Sequence, residues 1–222
     1  MSERRSLVIA PHGLDEVLGC GGTMARESDA GVRVGVCVLA GDGTGRDAAR
    51  RVAAARTAEI LGTAPPDFVG FSENRLDTVP LVDVVGAVEA RLRAIQPDTV
   101  YVCHGGNLNI DHQIAFKATL TATRPVPGSA VRELLAYEIL SSTDWAFGAL
   151  AGGFNPQCFV DVGTTLDRKL AALECYGDEV PGAPHARSTA AVRATLTARG
   201  ATIGVEAAEA FEVIRSVRRQ AG

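Results

Sequence analysis

Short unbroken apolar runs alternate along this chain with stretches of helical periodicity. The runs are SLVIA (6–10), RVGVCVLA (33–40), DFVGF (67–71) and TVYVC (99–103). Each precedes a segment whose apolar positions return every three or four residues: from Asp15 to about Ser28, then RDAARRVAAARTAEILG (46–62), PLVDVVGAVEARLRAI (80–95) and HQIAFKATLTATR (112–124). An apolar run suits a strand covered on both faces, and the 3.6-residue spacing suits a helix with one buried face. Four such pairs predict a doubly wound α/β core, a mostly parallel sheet with right-handed crossovers. Gly62 stands where the second helix should end, and Pro80 where the third should begin.

After Pro125 the pattern changes. VRELLAYEIL (131–140) and QCFVDV (157–162) read as strands, TTLDRKLAALECYGDEV (164–180) and RSTAAVRATLTARG (187–200) as helices, and the sequence closes on AAEAFEVIRSV. No polar linker or repeat separates this third from the rest, so one domain is expected over 1–222.

Composition narrows the partners. With 222 residues, 46% of them hydrophobic, the chain can bury one substantial core. A formal net charge of -4 argues against a sequence-independent grip on nucleic acid. The arginines of RDAARRVAAAR and RSVRR are expected on solvated helix faces. No apolar run approaches the roughly 20 residues that span a bilayer, and no signal-peptide core precedes the first strand, so a cytoplasmic protein is expected. The five cysteines (20, 37, 103, 158 and 175) are scattered without metal or redox spacing and read as reduced, mostly buried thiols.

Ligand crevices of open α/β sheets lie beyond the carboxyl ends of the strands. His12 and Asp15 follow the first strand, AGDGTGR ends the second, SENRLD follows the third, and His104 with NLNIDH follows the fourth. The remaining histidine, His185, lies in a loop between PGAP and ARS. Two imidazoles and a carboxylate, His12, His112 and Asp15, suit a catalytic zinc that keeps an open position. The same spacing equally suits loop and cap residues, with Asp15 and Asp111 as N-caps. AGDGTGR is either a tight loop or a phosphate cradle, and it fits no nucleotide fingerprint. The glycines of GCGGT (19–23) are expected to let the first helix approach the sheet.

APHGLDEVLGCGGT (10–23), RTAEILG (56–62) and HGGNLNIDHQ (104–113) together resemble the motifs of the zinc-dependent de-N-acetylases of the PIG-L or LmbE-like type. ATRP, FNPQCFVDV, PHARS and GVEAAEAF are similar to stretches of one bacterial branch, so the resemblance spans nearly the whole chain as a single LmbE-like domain. It implies a Rossmann-like fold and a Zn2+ ion, or another divalent transition metal, on His12, Asp15 and His112. It also implies hydrolysis of an N-acyl group on a sugar-like small molecule; a homo-oligomer is expected as a partner state, and charge and hydropathy predict no nucleic-acid or membrane partner.

Leu14 departs from the pattern, because the family carries its general-base aspartate there, and Gly13 replaces the preceding proline. Asn107 and Gln113 replace an aspartate and an arginine of the branch. Glu16, His104 and Asp111 are the candidates for proton transfer, with Asp42, Glu73 and Asp77 on other strand-end loops. Arg56, Arg75, Asn107, Trp145 and His185 are the candidates for substrate contact; Arg56 and Glu59 also fit an ordinary intrahelical pair. An apolar Leu14 is expected to dry the space beside the metal. Three functions remain open: an N-acyl hydrolase with altered proton transfer, a scaffold repurposed for another hydrolysis, elimination or cyclisation, and a non-catalytic metal-binding protein.

Overall fold

The computed structural model describes residues 3–41, 45–150 and 152–218; Asp42 and the centre of AGDGTGR lie outside them. Strands β1 (Arg5–Ala10), β2 (Arg33–Ala40), β3 (Asp67–Phe71), β4 (Thr99–Cys103), β5 (Glu133–Tyr137), β6 (Cys158–Asp161) and β7 (Ala208–Ser216) form one sheet in the order β3-β2-β1-β4-β5-β7-β6. The first five strands are parallel, while β7 runs antiparallel to both β5 and β6. The helices are α1 (Asp15–Asp29), α2 (Arg46–Leu61), α3 (Leu81–Ile95), α4 (Ile110–Ala122), α5 (Leu166–Glu174) and α6 (Thr189–Ile203). Right-handed crossovers put α1 and α2 on one face and α3 and α4 on the other; α5 packs on α1, α2 and α6, extending the first layer.

The four early strand–helix pairs stand where the periodicity put them, and Gly62 caps α2 in the left-handed conformation at φ 76°. Later elements differ. The strand expected over 131–140 is confined to β5, and the closing segment, assigned no element from its pattern, is the strand β7 inserted between β5 and β6. The helix expected over 164–180 is cut to α5, since Gly177 adopts φ 54° and the chain continues as a short 3₁₀ turn, Gly177–Glu179. The arginines of RDAARRVAAAR are not all solvated: Arg50 is buried, and Arg51 lies over the Phe68 ring with 4.2 Å from its guanidinium carbon to the ring centre. Cys20, Cys37 and Cys103 are buried, and all five thiols are free. No helix among the described residues is long and apolar enough to cross a membrane.

Gly19 shows why GCGGT needs its glycines. A Cβ built there would stand 2.1 Å from Cδ2 of Tyr137, a fully buried ring whose hydroxyl donates to the Ile9 carbonyl at 2.8 Å. Helix α1 therefore lies directly on the Tyr137 ring, which reaches from β5 to the Ile9 carbonyl of β1. Gly19→Ala is expected to lose about 1–3 kcal/mol of stability by overpacking. Gly86→Ala, in α3 with nothing within 4 Å, is expected to be neutral or to gain up to about 1 kcal/mol. Urea unfolding of the two variants checks the contrast.

Candidate metal centre

Strands β1 and β4 are hydrogen-bonded neighbours, yet the chain leaves them in opposite directions, β1 toward β2 and β4 toward β5. This is the topological switch point, where the loops following the two strands part and leave a crevice. His12 lies in the turn after β1, Asp15 opens α1, and His112 sits in the first turn of α4. Asn109 caps α4, its side-chain oxygen accepting from the Asp111 amide at 2.8 Å. Neither Asp15 nor Asp111 is an N-cap; both lie inside the first helical turns.

His12, Asp15 and His112 bring one ligand atom each within 4.8 Å of one another, and all three are buried. Asp15 Oδ2 lies 3.3 Å from His12 Nδ1 and 3.2 Å from His112 Nε2, and the two nitrogens are 3.4 Å apart. The opposite nitrogen of His12, Nε2, meets Asp111 Oδ2 at 2.8 Å. A carboxylate only accepts, so Nε2 carries the proton and Nδ1 is left as a lone pair in the neutral ring. Lone pairs at such separations repel unless a cation lies among them, and the donor set suits a divalent transition ion. Burial opposes protonation of His12, but its hydrogen bonds to Asp111 and Asp15, and their charges, prevail and raise its pKa to about 9. Burial likewise opposes ionisation of Asp15, and the two histidines outweigh it, holding that carboxyl well below the usual range.

Asp111 also accepts from the main-chain amides of Asn74 at 2.6 Å and Leu76 at 2.9 Å. Asp111, a candidate for proton transfer, thus has its oxygens engaged by the His12 ring and the loop after β3.

The trio opens into a cleft of about 710 Å³, lined also by Leu14, Asn74, Asn109, Ser141, Ser142 and Tyr176. Leu14 is 2% exposed and lines the cleft. It also holds φ 97°, while its carbonyl accepts from Val17 and Leu18 at the start of α1. A leucine there is strained backbone, because φ is positive and ψ of -36° falls outside the left-handed helical well. One wall is tied by Arg50, whose Nε reaches Glu179 Oε1 at 2.6 Å and whose Nη1 reaches Glu73 Oε2 at 2.7 Å. This clamp joins α2, the loop after β3 and the 3₁₀ turn after α5. Glu73 was a candidate from its place after the third strand and does line the cleft, but the clamp itself was not found from the sequence, because Glu179 is 129 residues from Arg50 and no motif links them.

Several expected site residues stand elsewhere. Glu16 is fully buried, and its Oε1 accepts from the Tyr176 hydroxyl at 2.6 Å. Burial pushes its pKa up to about 7, but it does not line the cleft and faces no water there. His104 does not line the cleft: its Nε2 lies 3.3 Å from Glu212, its Nδ1 accepts from the Gly106 amide, and its ring packs edge-on against Phe154. Asn107 is fully buried, spent on Thr143 Oγ1 and on the Asn109 amide, so it shapes the loop rather than meeting substrate. Arg56 and Arg75 are exposed and lie outside the cleft lining, as do Glu59 and Asp77. Trp145 and His185 meet edge-on at 5.5 Å between ring centres. The Trp145 amide donates to the carbonyl of cleft-lining Ser141, which puts the pair beside the cleft.

A switch-point crevice floored by a buried His-Asp-His group defines a Rossmann-like α/β protein with a candidate catalytic metal centre. Residues 7–123 match the model of the GlcNAc-PI de-N-acetylase (PIG-L) family, and the chain belongs to that family. It is 28% identical over 176 residues to the uncharacterized deacetylase YaiS of Escherichia coli K12, an alignment covering 76% of this chain and 88% of that protein. It is 26% identical over 191 residues to a probable N-acetyl-alpha-D-glucosaminyl L-malate deacetylase 2 of Bacillus cereus, covering 78% and 83%. Among solved structures, the conserved protein TT1542 of Thermus thermophilus superposes with a TM-score of 0.77 at 25% identity, covering 97% of this chain and 96% of that one.

Proposed function

We propose that this chain is a zinc-dependent hydrolase that removes an N-acyl group from an amino-sugar-type small molecule, working without a carboxylate at position 14. The observation that carries the reading is the convergence of His12 Nδ1, Asp15 Oδ2 and His112 Nε2 at the floor of the cleft in a chain of this family. A divalent ion held there supplies Lewis-acid chemistry, polarising a carbonyl and easing the deprotonation of water. The rest falls to the protein. Asp111 keeps His12 in the tautomer that offers Nδ1. Leu14 walls off one side of the centre with apolar surface, which lowers the local dielectric and strengthens charge interactions. Asn74, Ser141 and Ser142 offer amide and hydroxyl groups for sugar hydroxyls, and the Trp145–His185 pair offers ring surface beside the cleft. With Glu16 and His104 tied elsewhere, proton transfer runs through solvent in the cleft, and turnover is slow.

The metal assignment is tested by titrating zinc into chelator-treated protein. Zinc must displace the His12 proton, so its apparent affinity is expected to fall about tenfold per pH unit below about 9. Asp111→Asn is expected to weaken the affinity about 10–100-fold, because an amide no longer fixes the ring as the carboxylate does. Equal affinity for wild type and Asp111→Asn would remove Asp111 from the centre.

The apolar wall at Leu14 also favours a second reading, in which the scaffold serves an elimination or cyclisation that a strong base beside the metal would spoil. Product analysis with candidate metabolites separates it from the first, since only N-acyl hydrolysis releases a carboxylic acid and a free amine.

A further inference from the structure

We propose that Arg187 is the point at which the cleft recognises an anionic oxygen group, a carboxylate or a phosphate, on the part of the substrate away from its N-acyl group. The proposal rests on the hydrolase reading for the word substrate, and on the following geometry for the rest. The cleft has two arginines in its lining, Arg50 and Arg187. Arg50 is matched by Glu73 and Glu179, two carboxylates on one guanidinium. It has no charge left for a ligand. Arg187 forms no ion pair among the described residues, and its Nε is buried without a hydrogen-bond partner. With Nε closed to solvent, a ligand in the cleft meets the terminal guanidinium nitrogens, whose charge no carboxylate of the described residues offsets.

The backbone beneath this side chain is well fixed. The Arg187 amide donates to His185 Nδ1 at 3.0 Å, and the next residue, Ser188, caps α6 through the Ala191 amide. His185 in turn packs against Trp145. From this fixed main chain the guanidinium offers a planar fork that matches carboxylate and phosphate oxygens. Asp178, exposed on the same cleft, lies beyond ion-pairing distance of Arg187 and discriminates against ligands of excessive negative charge rather than neutralising the arginine. One anionic group on an otherwise polar, neutral ligand is the chemistry that this arrangement takes.

Isothermal titration of the zinc-loaded protein with three sugars tests the proposal. N-acetylglucosamine is the neutral reference, N-acetylglucosamine 1-phosphate probes phosphate, and N-acetylmuramic acid probes carboxylate. At least one charged sugar is expected to bind about tenfold or more tightly than the reference, a gain of about 1.4 kcal/mol, and the better of the two identifies the group. Arg187→Gln should bring the ratio of charged-sugar to neutral-sugar affinity down to about one, and Arg187→Lys should restore part of it. The proposal is overturned if neither charged sugar binds more tightly than the reference, or if the preference survives in Arg187→Gln, which would assign it to the metal. Acid release is followed in the same samples. An Arg187-dependent preference without any release defeats the hydrolase reading and leaves the recognition role standing; release without the preference does the reverse.

Discussion

Leu14→Asp raises the rate of N-acyl hydrolysis by about 10²–10⁴-fold over the wild type, the range that a positioned general base contributes. Three observations make the gain specific to this position. The residue lines the cleft that holds the His-Asp-His group, so a carboxylate there faces the reaction space. Its φ of 97° already strains leucine, so exchanging one side chain for another there adds no new backbone distortion. The neighbouring acid, Glu16, points elsewhere, to the Tyr176 hydroxyl, and does not already supply the function. Leu14→Asn is the control, with similar shape and backbone preference and no basic oxygen. It is expected to stay within a few-fold of wild type, since any larger gain would credit solvent access rather than proton transfer. Steady-state acetate release under zinc saturation measures all three proteins, and equal gains for aspartate and asparagine would defeat the explanation.

Lys169→Met is expected to cost about 3–5 kcal/mol of stability, the usual consequence of removing one partner of a buried ion pair. Lys169 is 1% exposed; its ammonium donates to the Leu18 carbonyl at 2.7 Å and to Glu209 Oε1 at 2.6 Å. Glu209, equally buried on β7, also accepts from the amides of Gly22 and Thr23 in α1. The pair therefore joins α5, α1 and β7 beneath the helix that carries Asp15. Without the ammonium, the Glu209 carboxylate is left with two amides and no counter-charge inside the core. Lys169→Met combined with Glu209→Gln should recover part of the loss, because the stranded charge is then gone. Urea unfolding of the two single variants and the double variant gives the coupling, and additive losses would show that the residues act independently.

The elements that could be read from the sequence share a physical cause. β1 and β4 are covered on both faces, so their apolar runs stand out without alternation; α3 and α4 bury one stripe each, while α1 is buried on all sides from Asp15 to Ala25. β7 was missed because its pattern, AEAFEVIRS, mixes a buried glutamate into the apolar positions. That glutamate is Glu209, satisfied only by Lys169 and the α1 amides, which are distant in sequence. The trio was visible because His12 and Asp15 are close in the chain and the two turns that carry the trio both end parallel strands. The clamp of Arg50 with Glu73 and Glu179 was not, since three separate connections meet to form it. Arg187 escaped notice for the same reason. Its significance lies in a missing partner, and a sequence does not show which side chains go unpaired.

The most direct measurement is acid release from an N-acetylated amino sugar by zinc-loaded wild type, beside His12→Ala at equal concentration. The account predicts slow but catalytic release by wild type and loss of that release in His12→Ala, with zinc stoichiometry falling in parallel. It is contradicted if zinc-saturated wild type releases no acid while Leu14→Asp does, because the native residue at position 14 would then exclude the proposed reaction.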